Sequence, residues 1–285
     1  MSKKQLLIYE TAVPVSATRH ADASVEASGS YAFSAGVSAV PLMAVEFPRA
    51  SAEYAIVFTA DGEDSVMPVV VLGALRDQNL YLTSGDRWNA KYIPAFIRRY
   101  PFVFSSSADR KMLTLCIDES HPGFNREGRG SRLFGDDDKP TPYVDKVLTF
   151  LKEFQGHLER TRLFGRRLKE LQLLQPMQAN VTTPSGEQIT MGSFLAVNRE
   201  KLRALDGATL EKLARNDELE LLYLHLASMG NFNEVKDRLI GTGADKGAPT
   251  ADAASAEADA ADVPGGEEKA APGWQRSRRK APADG

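Results

Sequence analysis

The sequence has little of what many catalytic, nucleic-acid-binding and membrane proteins depend on. Its 285 residues include one cysteine and four histidines, and the net charge is −3. A single cysteine, Cys116 in the apolar run MLTLCID, excludes an intramolecular disulfide, and we expect it to be a small buried residue. A nearly neutral charge argues against nucleic acid as a partner, for which a clearly basic domain is expected. No stretch reaches the ~18 apolar residues of a transmembrane span.

Recognisable catalytic motifs are missing as well. The sequence contains neither the Gly-x-Ser-x-Gly elbow of serine hydrolases nor the His-Glu-x-x-His zinc motif. We therefore expect no catalytic residue set, no metal and no cofactor. The first residues carry two lysines and a short apolar patch that Glu10 interrupts, without the cleavage pattern of a secretory signal. This pattern predicts a cytoplasmic protein, with export by a route without a cleavable signal as the alternative.

Short apolar runs dominate the N-terminal half of the sequence. A strand is predicted at residues 6–10, and the runs AVPLMAVEFP, YAIVFTA, MPVVVLGAL and NLYLT predict further strands, as do residues 100–107 and 111–118. A short helix at residues 92–100, ended by Pro101, is expected to interrupt them. Several strands before any long helix favour an antiparallel or mixed sheet in the N-terminal half.

Helical periodicity dominates the second half. Thr141 and Pro142 predict a helix start, and apolar residues at helical spacing continue to residue 175, with Gly156 and Gly165 as points where the helix bends. A hairpin is predicted at residues 181–197, followed by helices starting near residues 198 and 206–209 and by an apolar helix at 219–232. The sequence thus predicts an α+β fold with a long helix and a helical C-terminal part.

The composition also divides the chain. Residues 1–240 read as one α+β domain, made of a strand-rich part at 1–140 and a mainly helical part at 141–240. Residues 241–285 are rich in Ala, Asp, Gly and Pro, which predicts a disordered tail. The basic run WQRSRRK near its end is either solvated or a tether for an acidic or membrane partner.

The residues richest in aromatic rings and arginine lie at 79–104. Trp88, Tyr92, Arg98 and Arg99 are the candidate binding residues of this segment. Tryptophan, tyrosine and arginine dominate binding hot spots, so the segment is either a docking patch for a protein or peptide, or a structural junction between sheet and helix.

A second candidate site lies where a predicted strand meets the long loop at residues 119–140. Asp118 and His121 could bind a ligand there, or His121 with Asp118 or Glu119 could supply part of a metal site of two histidines and a carboxylate. Neither His20, His157 nor His225 shows a convincing spacing to complete it. His225 lies on an apolar helix, which favours a core histidine. Within the loop, residues 128–132 are a weak candidate for anion binding, and residues 136–138 read as a solvated turn or a calcium-loop fragment.

Three blocks of sequence resemble a known family. They are residues 68–104 (PVVVLGALRDQNLYLTSGDRWNAKYIPAFIRRYPFVF), 132–155 (RLFGDDDKPTPYVDKVLTFLKEFQ) and 198–231 (NREKLRALDGATLEKLARNDELELLYLHLASMGN). In this order they resemble the bacterial SapC family over roughly residues 5–240. The resemblance implies a surface-layer or peptide-transport role for a soluble protein and carries over no catalytic residue.

Two functions follow from these observations. The first is a non-enzymatic binding or assembly protein with a protein or peptide partner, which rests on the aromatic and arginine residues. The alternative is a metal-dependent, oxygenase-like enzyme acting on a peptide or protein, which rests on Asp118 and His121 beside a long loop.

Overall fold

The computed structural model describes residues 7–107, 112–182 and 188–244 of the chain. Its strands are β1 Ala12–Pro14, β2 Ser24–Val25, β3 Ala39–Pro41, β4 Ile56–Ala60, β5 Val66–Val71, β6 Phe102–Ser106, β7 Leu113–Asp118, β8 Phe124–Asn125, β9 Ser131–Arg132, β10 Leu174–Thr182 and β11 Gln188–Val197. Its helices are α1 Ala17–His20, α2 Phe47–Ala50, α3 Ala95–Arg98, α4 Pro142–Glu170, α5 Arg199–Arg203, α6 Gly207–Arg215, α7 Glu218–Ser228 and α8 Phe232–Ala244. Among the described residues, no helix is both long and apolar enough to cross a membrane.

The largest sheet has five antiparallel strands in the order β10-β11-β4-β5-β3. Alternate residues of β4 and β5 point to opposite faces, and both faces are buried. Helices α4 and α7 pack on one face, beside Phe58 and Val70, whereas α8 packs on the other, beside Val57 and Val69. Burial on both faces explains why β5 is a continuous apolar run without alternation.

Two smaller antiparallel sheets form the other end of the fold, with strand orders β1-β7-β6 and β8-β2-β9. They share a core with the first turns of α4, where Val144, Val147 and Leu151 are buried. The later turns of α4 bury Phe154 and Leu158 against the large sheet instead. One helix therefore joins both ends of the fold through a single apolar stripe at spacings of three and four residues.

The predicted α+β architecture is confirmed, with antiparallel sheets, a long helix and a helical C-terminal part. Cys116 is buried, as expected. The turn predicted at residues 184–186 lies outside the described residues, as does the predicted tail except for residues 241–244, which end α8.

Several predicted elements are different in the structure. Residues 7–10 form no strand, and β1 starts at Ala12. The run NLYLT, predicted as a strand, is a turn in which the Asn79 side chain accepts a hydrogen bond from the backbone N–H of Tyr81, 2.9 Å away. Helix α4 ends at Glu170 and not at residue 175, because the chain from Leu174 pairs with β11.

Candidate functional site

The aromatic segment around Trp88 is anchored to the core by hydrogen bonds. The indole N–H of Trp88 donates to the hydroxyl of Tyr54 over 2.8 Å, and this hydroxyl donates to the backbone carbonyl of Tyr92. The Trp88 ring also contacts the rings of Tyr31 and Tyr81, at centroid distances of 5.7 and 6.5 Å. Trp88 and Tyr92 are half-buried and their polar atoms have partners within the protein. This packing supports the structural interpretation of both residues.

Two acidic residues that the sequence did not single out hold this segment in place. Glu46 is 4% exposed and accepts hydrogen bonds from the Tyr92 hydroxyl at 2.6 Å and from the backbone N–H groups of Met43 and Ala95, both at 2.7 Å. Burial raises the pKa of Glu46, although these hydrogen bonds oppose the shift. Glu53 accepts from the backbone N–H groups of residues 91 and 92. The two carboxylates therefore fix the backbone around residues 91–95 by accepting hydrogen bonds from its N–H groups.

The two neighbouring arginines have different environments. Arg98 is exposed, donates to the backbone carbonyl of Ile93 over 3.0 Å and lies over the ring of Phe150. Arg99 is buried, and its guanidinium lies 4.1 Å from the ring centroid of Phe96 and 5.6 Å from that of Tyr9. Burial lowers the pKa of Arg99, and the Tyr9 hydroxyl opposes this shift. Of the four predicted residues of the aromatic segment, Arg98 is exposed, Trp88 and Tyr92 are half-buried, and Arg99 is buried.

Asp118 is a fully buried carboxylate whose oxygen atoms accept four hydrogen bonds. The donors are the backbone N–H groups of Glu10 at 2.7 Å and Thr11 at 3.1 Å, and both the hydroxyl and the backbone N–H of Ser120, at 2.6 and 3.1 Å. Burial by itself raises the pKa of Asp118, but the hydrogen bonds outweigh it and hold the pKa below its ordinary value. Asp118 therefore stays ionised and fastens the N-terminal segment to the end of β7.

His121 is 8% exposed and stands edge-on to the ring of Tyr100, with centroids 5.2 Å apart. Burial lowers the pKa of His121, against opposing contributions from the backbone of Glu26 and from Asp118. The imidazole is therefore neutral near pH 7, because its ordinary pKa of ~6.5 already lies below that pH. Asp118 and His121 lie side by side at the end of β7, as their sequence positions predict.

A pocket of about 390 Å³ opens beside His121. Three separate segments and one aromatic side chain form its wall: Leu7, Ile8, Tyr9, Glu10; Ser28, Ser30, Ala32, Phe33; Ser120, His121, Pro122; and Tyr100. We call this cavity the Tyr100 pocket. The rings of Phe33 and Tyr100 stack with centroids 4.0 Å apart, and Tyr9 contacts Tyr100 at 5.4 Å. The volume lies at the lower end of the range of ~300–1,000 Å³ for small-molecule sites.

Ring contacts connect the Tyr100 pocket to the aromatic segment. Trp88 contacts Tyr31, Tyr31 contacts Phe33 at 6.0 Å, and Phe33 stacks on Tyr100, which contacts His121. The candidate site at Trp88 and the candidate site at His121 are thus connected by consecutive contacts between aromatic rings. Only His121 of the six candidate residues lines the pocket, and Asp118 lies behind its wall.

The pocket residues Glu10, Ser28, Ser30 and Phe33 were missed at the level of sequence. They belong to a small, polar N-terminal stretch without periodicity, and their neighbours in the wall are about 90 residues away along the chain. The one local signal was Tyr9 within an apolar patch, which was interpreted as a strand.

The remaining candidates are engaged elsewhere. His225 is buried; its Nδ1 lies 2.9 Å from the backbone carbonyl of Ile56, and its Nε2 accepts from the backbone N–H of Val197 at 3.0 Å, which confirms a core histidine. His20 is buried with Nε2 3.3 Å from Glu119.

Within residues 7–107, 112–182 and 188–244, no three His, Cys, Asp or Glu side chains are placed to hold a metal ion. Asp136 and Asp137 pair with Arg132 and Lys139 in an exposed turn.

Comparison with known proteins identifies one family. The family model described as SapC matches residues 15–235, which includes the three blocks of resemblance, the aromatic segment and most of the Tyr100 pocket. No curated protein and no solved structure matches the chain. On the extent of this match, the chain belongs to the SapC family.

Proposed function

We propose that this SapC family protein is a non-catalytic binding protein, and that the Tyr100 pocket receives a side chain of a peptide or protein partner. The observation that carries the proposal is the pocket itself, in which three aromatic rings meet serine hydroxyls, a carboxylate and a neutral histidine at the surface. Concave sites of this mixed character are the common form of ligand-binding sites.

The aromatic segment supports the pocket and is not the docking surface in this proposal. The rings and polar groups of Trp88, Tyr92 and Arg99 make their contacts within the protein. Through Tyr31 and Phe33, the same packing fixes the position of the pocket wall. A wall held by packed rings loses little conformational freedom on binding, which favours affinity.

A peptide or protein partner fits the pocket better than a large cofactor does. Its volume of about 390 Å³ accommodates one or two side chains. A role in the surface layer or in peptide handling is the finer form of this proposal and rests on the family resemblance alone.

The alternative of a metal-dependent oxygenase would use His121 with a nearby carboxylate. The carboxylate of Asp118 already accepts four hydrogen bonds, so binding a metal ion would require it to give up some of them. A direct test is incubation of the purified protein with Fe²⁺ or Zn²⁺ followed by metal analysis. Stoichiometric metal that is lost in His121→Ala would favour the enzyme over the binding protein.

A steric block tests the proposed pocket. Ala32 is exposed and lines the pocket, so Ala32→Trp adds a large side chain at its mouth with little cost to folding. Ala35→Trp is the matched control, because Ala35 is also exposed and lies three residues further along without lining the pocket. The probes are acetylated tripeptide amides that vary only in their central residue.

We expect some of these tripeptides, added to the full chain, to shift the NMR signals of residues 10, 30 and 120. Ala32→Trp should abolish these shifts and Ala35→Trp should preserve them. Shifts that are absent for every peptide, or that survive Ala32→Trp, would contradict the proposal.

A further inference from the structure

Among the described residues, the one charged side chain that lines the Tyr100 pocket is negative. This residue is Glu10, since His121 is neutral near pH 7 and no lysine or arginine lines the wall within the part of the chain that the structure describes. Directly behind the wall, Asp118 is held ionised by its hydrogen bonds. Arg99 is buried in the same way and lies 5.6 Å from the Tyr9 ring centroid, so its positive charge offsets that of Asp118 and leaves Glu10 as the excess charge.

This negative field reaches the pocket. Burial and the charges of Asp118 and Glu10 together raise the pKa of Tyr100 to about 12, while a hydrogen bond with Ser120 opposes them. At the neighbouring Tyr9, in contrast, the positive charge of Arg99 lowers the pKa and opposes the effect of burial. A negative potential in a partly enclosed pocket attracts a cation and disfavours an anion.

The hydrogen-bonding groups of the wall include both donors and acceptors, since the hydroxyls of Ser28, Ser30 and Tyr100 can donate and the neutral His121 ring carries one N–H. The hydroxyl proton of Ser120 is committed to Asp118 over 2.6 Å, so the Ser120 oxygen can only accept, and it already takes part in the hydrogen bond with Tyr100. The Glu10 carboxylate accepts only, and its side chain is exposed at the mouth. An N–H donor of a ligand can bind the Glu10 carboxylate, whereas the charge of this carboxylate repels a carboxylate or phosphate.

The rings of the wall also favour a cation. Tyr9, Phe33 and Tyr100 present aromatic carbon, whose negative quadrupole attracts ammonium and guanidinium groups. The protein uses this interaction elsewhere, because Arg238 lies 4.2 Å from the ring centroid of Tyr81.

We infer that the Tyr100 pocket takes a positively charged nitrogen group, and specifically the lysine or arginine side chain of a peptide partner. The inference rests on the proposed function, because it names the side-chain class that this binding site accepts. The charge of Glu10 and the rings of Tyr9, Phe33 and Tyr100 favour the same class from independent groups of residues.

The test compares probes of nearly equal size. The probes are acetyl-Gly-Lys-Gly-amide, acetyl-Gly-Arg-Gly-amide, and the two peptides in which Nε-acetyl-lysine or glutamate is the central residue. Each peptide is titrated into the full chain and followed by NMR. We expect the lysine and arginine peptides to bind in the pocket at least about tenfold more tightly than the other two, a difference of the size that losing a charge-assisted hydrogen bond produces. Added salt should weaken their binding, because it screens exposed charges.

Two matched variants test whether the charge of Glu10 causes the preference for a cationic side chain. Glu10→Gln keeps the size of the side chain and leaves the backbone N–H of residue 10 on Asp118, so it should weaken lysine-peptide binding by about fivefold, as expected for a partly exposed ion pair. It should leave binding of the Nε-acetyl-lysine peptide unchanged. Glu153→Gln, an exposed residue of α4 outside the pocket, should change neither.

The outcomes separate this inference from the proposed function. Pocket shifts of equal affinity with the acetyl-lysine or glutamate peptide would overturn the inference and leave a binding protein of different specificity. The same holds if Glu10→Gln has no effect on the lysine peptide. If no peptide of either charge shifts the pocket residues, the proposed function itself fails, and the inference with it.

Discussion

His225 connects two strands to a helix through one neutral imidazole. From α7, Nδ1–H donates to the backbone carbonyl of Ile56 at the start of β4, and Nε2 accepts from the backbone N–H of Val197 at the end of β11. A protonated ring would place a second N–H against the N–H of Val197. Burial accordingly lowers the pKa of His225 to about 4, although the hydrogen bond to Ile56 opposes the shift.

This geometry predicts a loss of stability in mild acid. The unfolded chain binds a proton at His225 below a pKa of ~6.5, whereas the folded chain does so only near 4. The contribution is complete above ~6.5 and is lost as the pH falls towards 4, by about 3 kcal/mol in total. Urea denaturation between pH 7 and pH 4 measures it, and His225→Gln, which hydrogen-bonds without titrating, should flatten the slope.

The comparison with His225→Gln is needed because burial also lowers the pKa of His20 and His121, which act in the same direction. An equal slope in wild type and variant would show that His225 is not responsible. The burial of His225 could be predicted from its apolar helix, but its two partners could not. They are backbone groups 28 and 169 residues away, and a backbone partner leaves no mark in the sequence.

Helix α4 lies close to β5 at Gly165. A Cβ atom built at this glycine would lie 2.0 Å from the backbone carbonyl oxygen of Val66 and 3.1 Å from the hydroxyl of Ser65. Gly165→Ala therefore forces the helix away from the sheet, and we expect a loss of about 1–3 kcal/mol despite the higher helix propensity of alanine. Gly156 lies in the same helix and has no atom within 4 Å of its Cβ position.

Gly156→Ala is thus the matched control, and it should stabilise the protein by up to about 1 kcal/mol. Urea denaturation of both variants measures the two changes in the free energy of unfolding. Equal effects of the two substitutions would contradict a close contact at residue 165. The sequence predicted the position of this helix well, since its burial follows a period of 3.6. It could not distinguish the two glycines, because the contact at Gly165 depends on a strand that is about 100 residues away.

Across the whole molecule, regular elements were predictable and the pocket was not. Strands β4, β5, β6 and β7 and helices α4 and α7 follow apolar patterns that can be read locally. The Tyr100 pocket forms where chain segments near residues 8, 30 and 121 meet, and its contacts depend on tertiary packing alone. The two-residue strands β2, β8 and β9 escaped prediction for the same reason, since they are too short to carry a pattern.

The strand-rich and helical parts should fold only together. The large sheet takes β11 from the helical part beside β4, and its two faces are covered by α4 and α7 on one side and by α8 on the other. A fragment of residues 1–140 would expose both faces of β4 and β5, a loss of burial that a marginally stable domain does not survive. We expect this fragment to lack a cooperative urea transition and dispersed NMR signals, whereas residues 1–244 should match the melting temperature of the full chain. A cooperative transition in the 1–140 fragment would divide the molecule into two independent domains, and His225, Gly165 and the covered sheet would then be contacts between them.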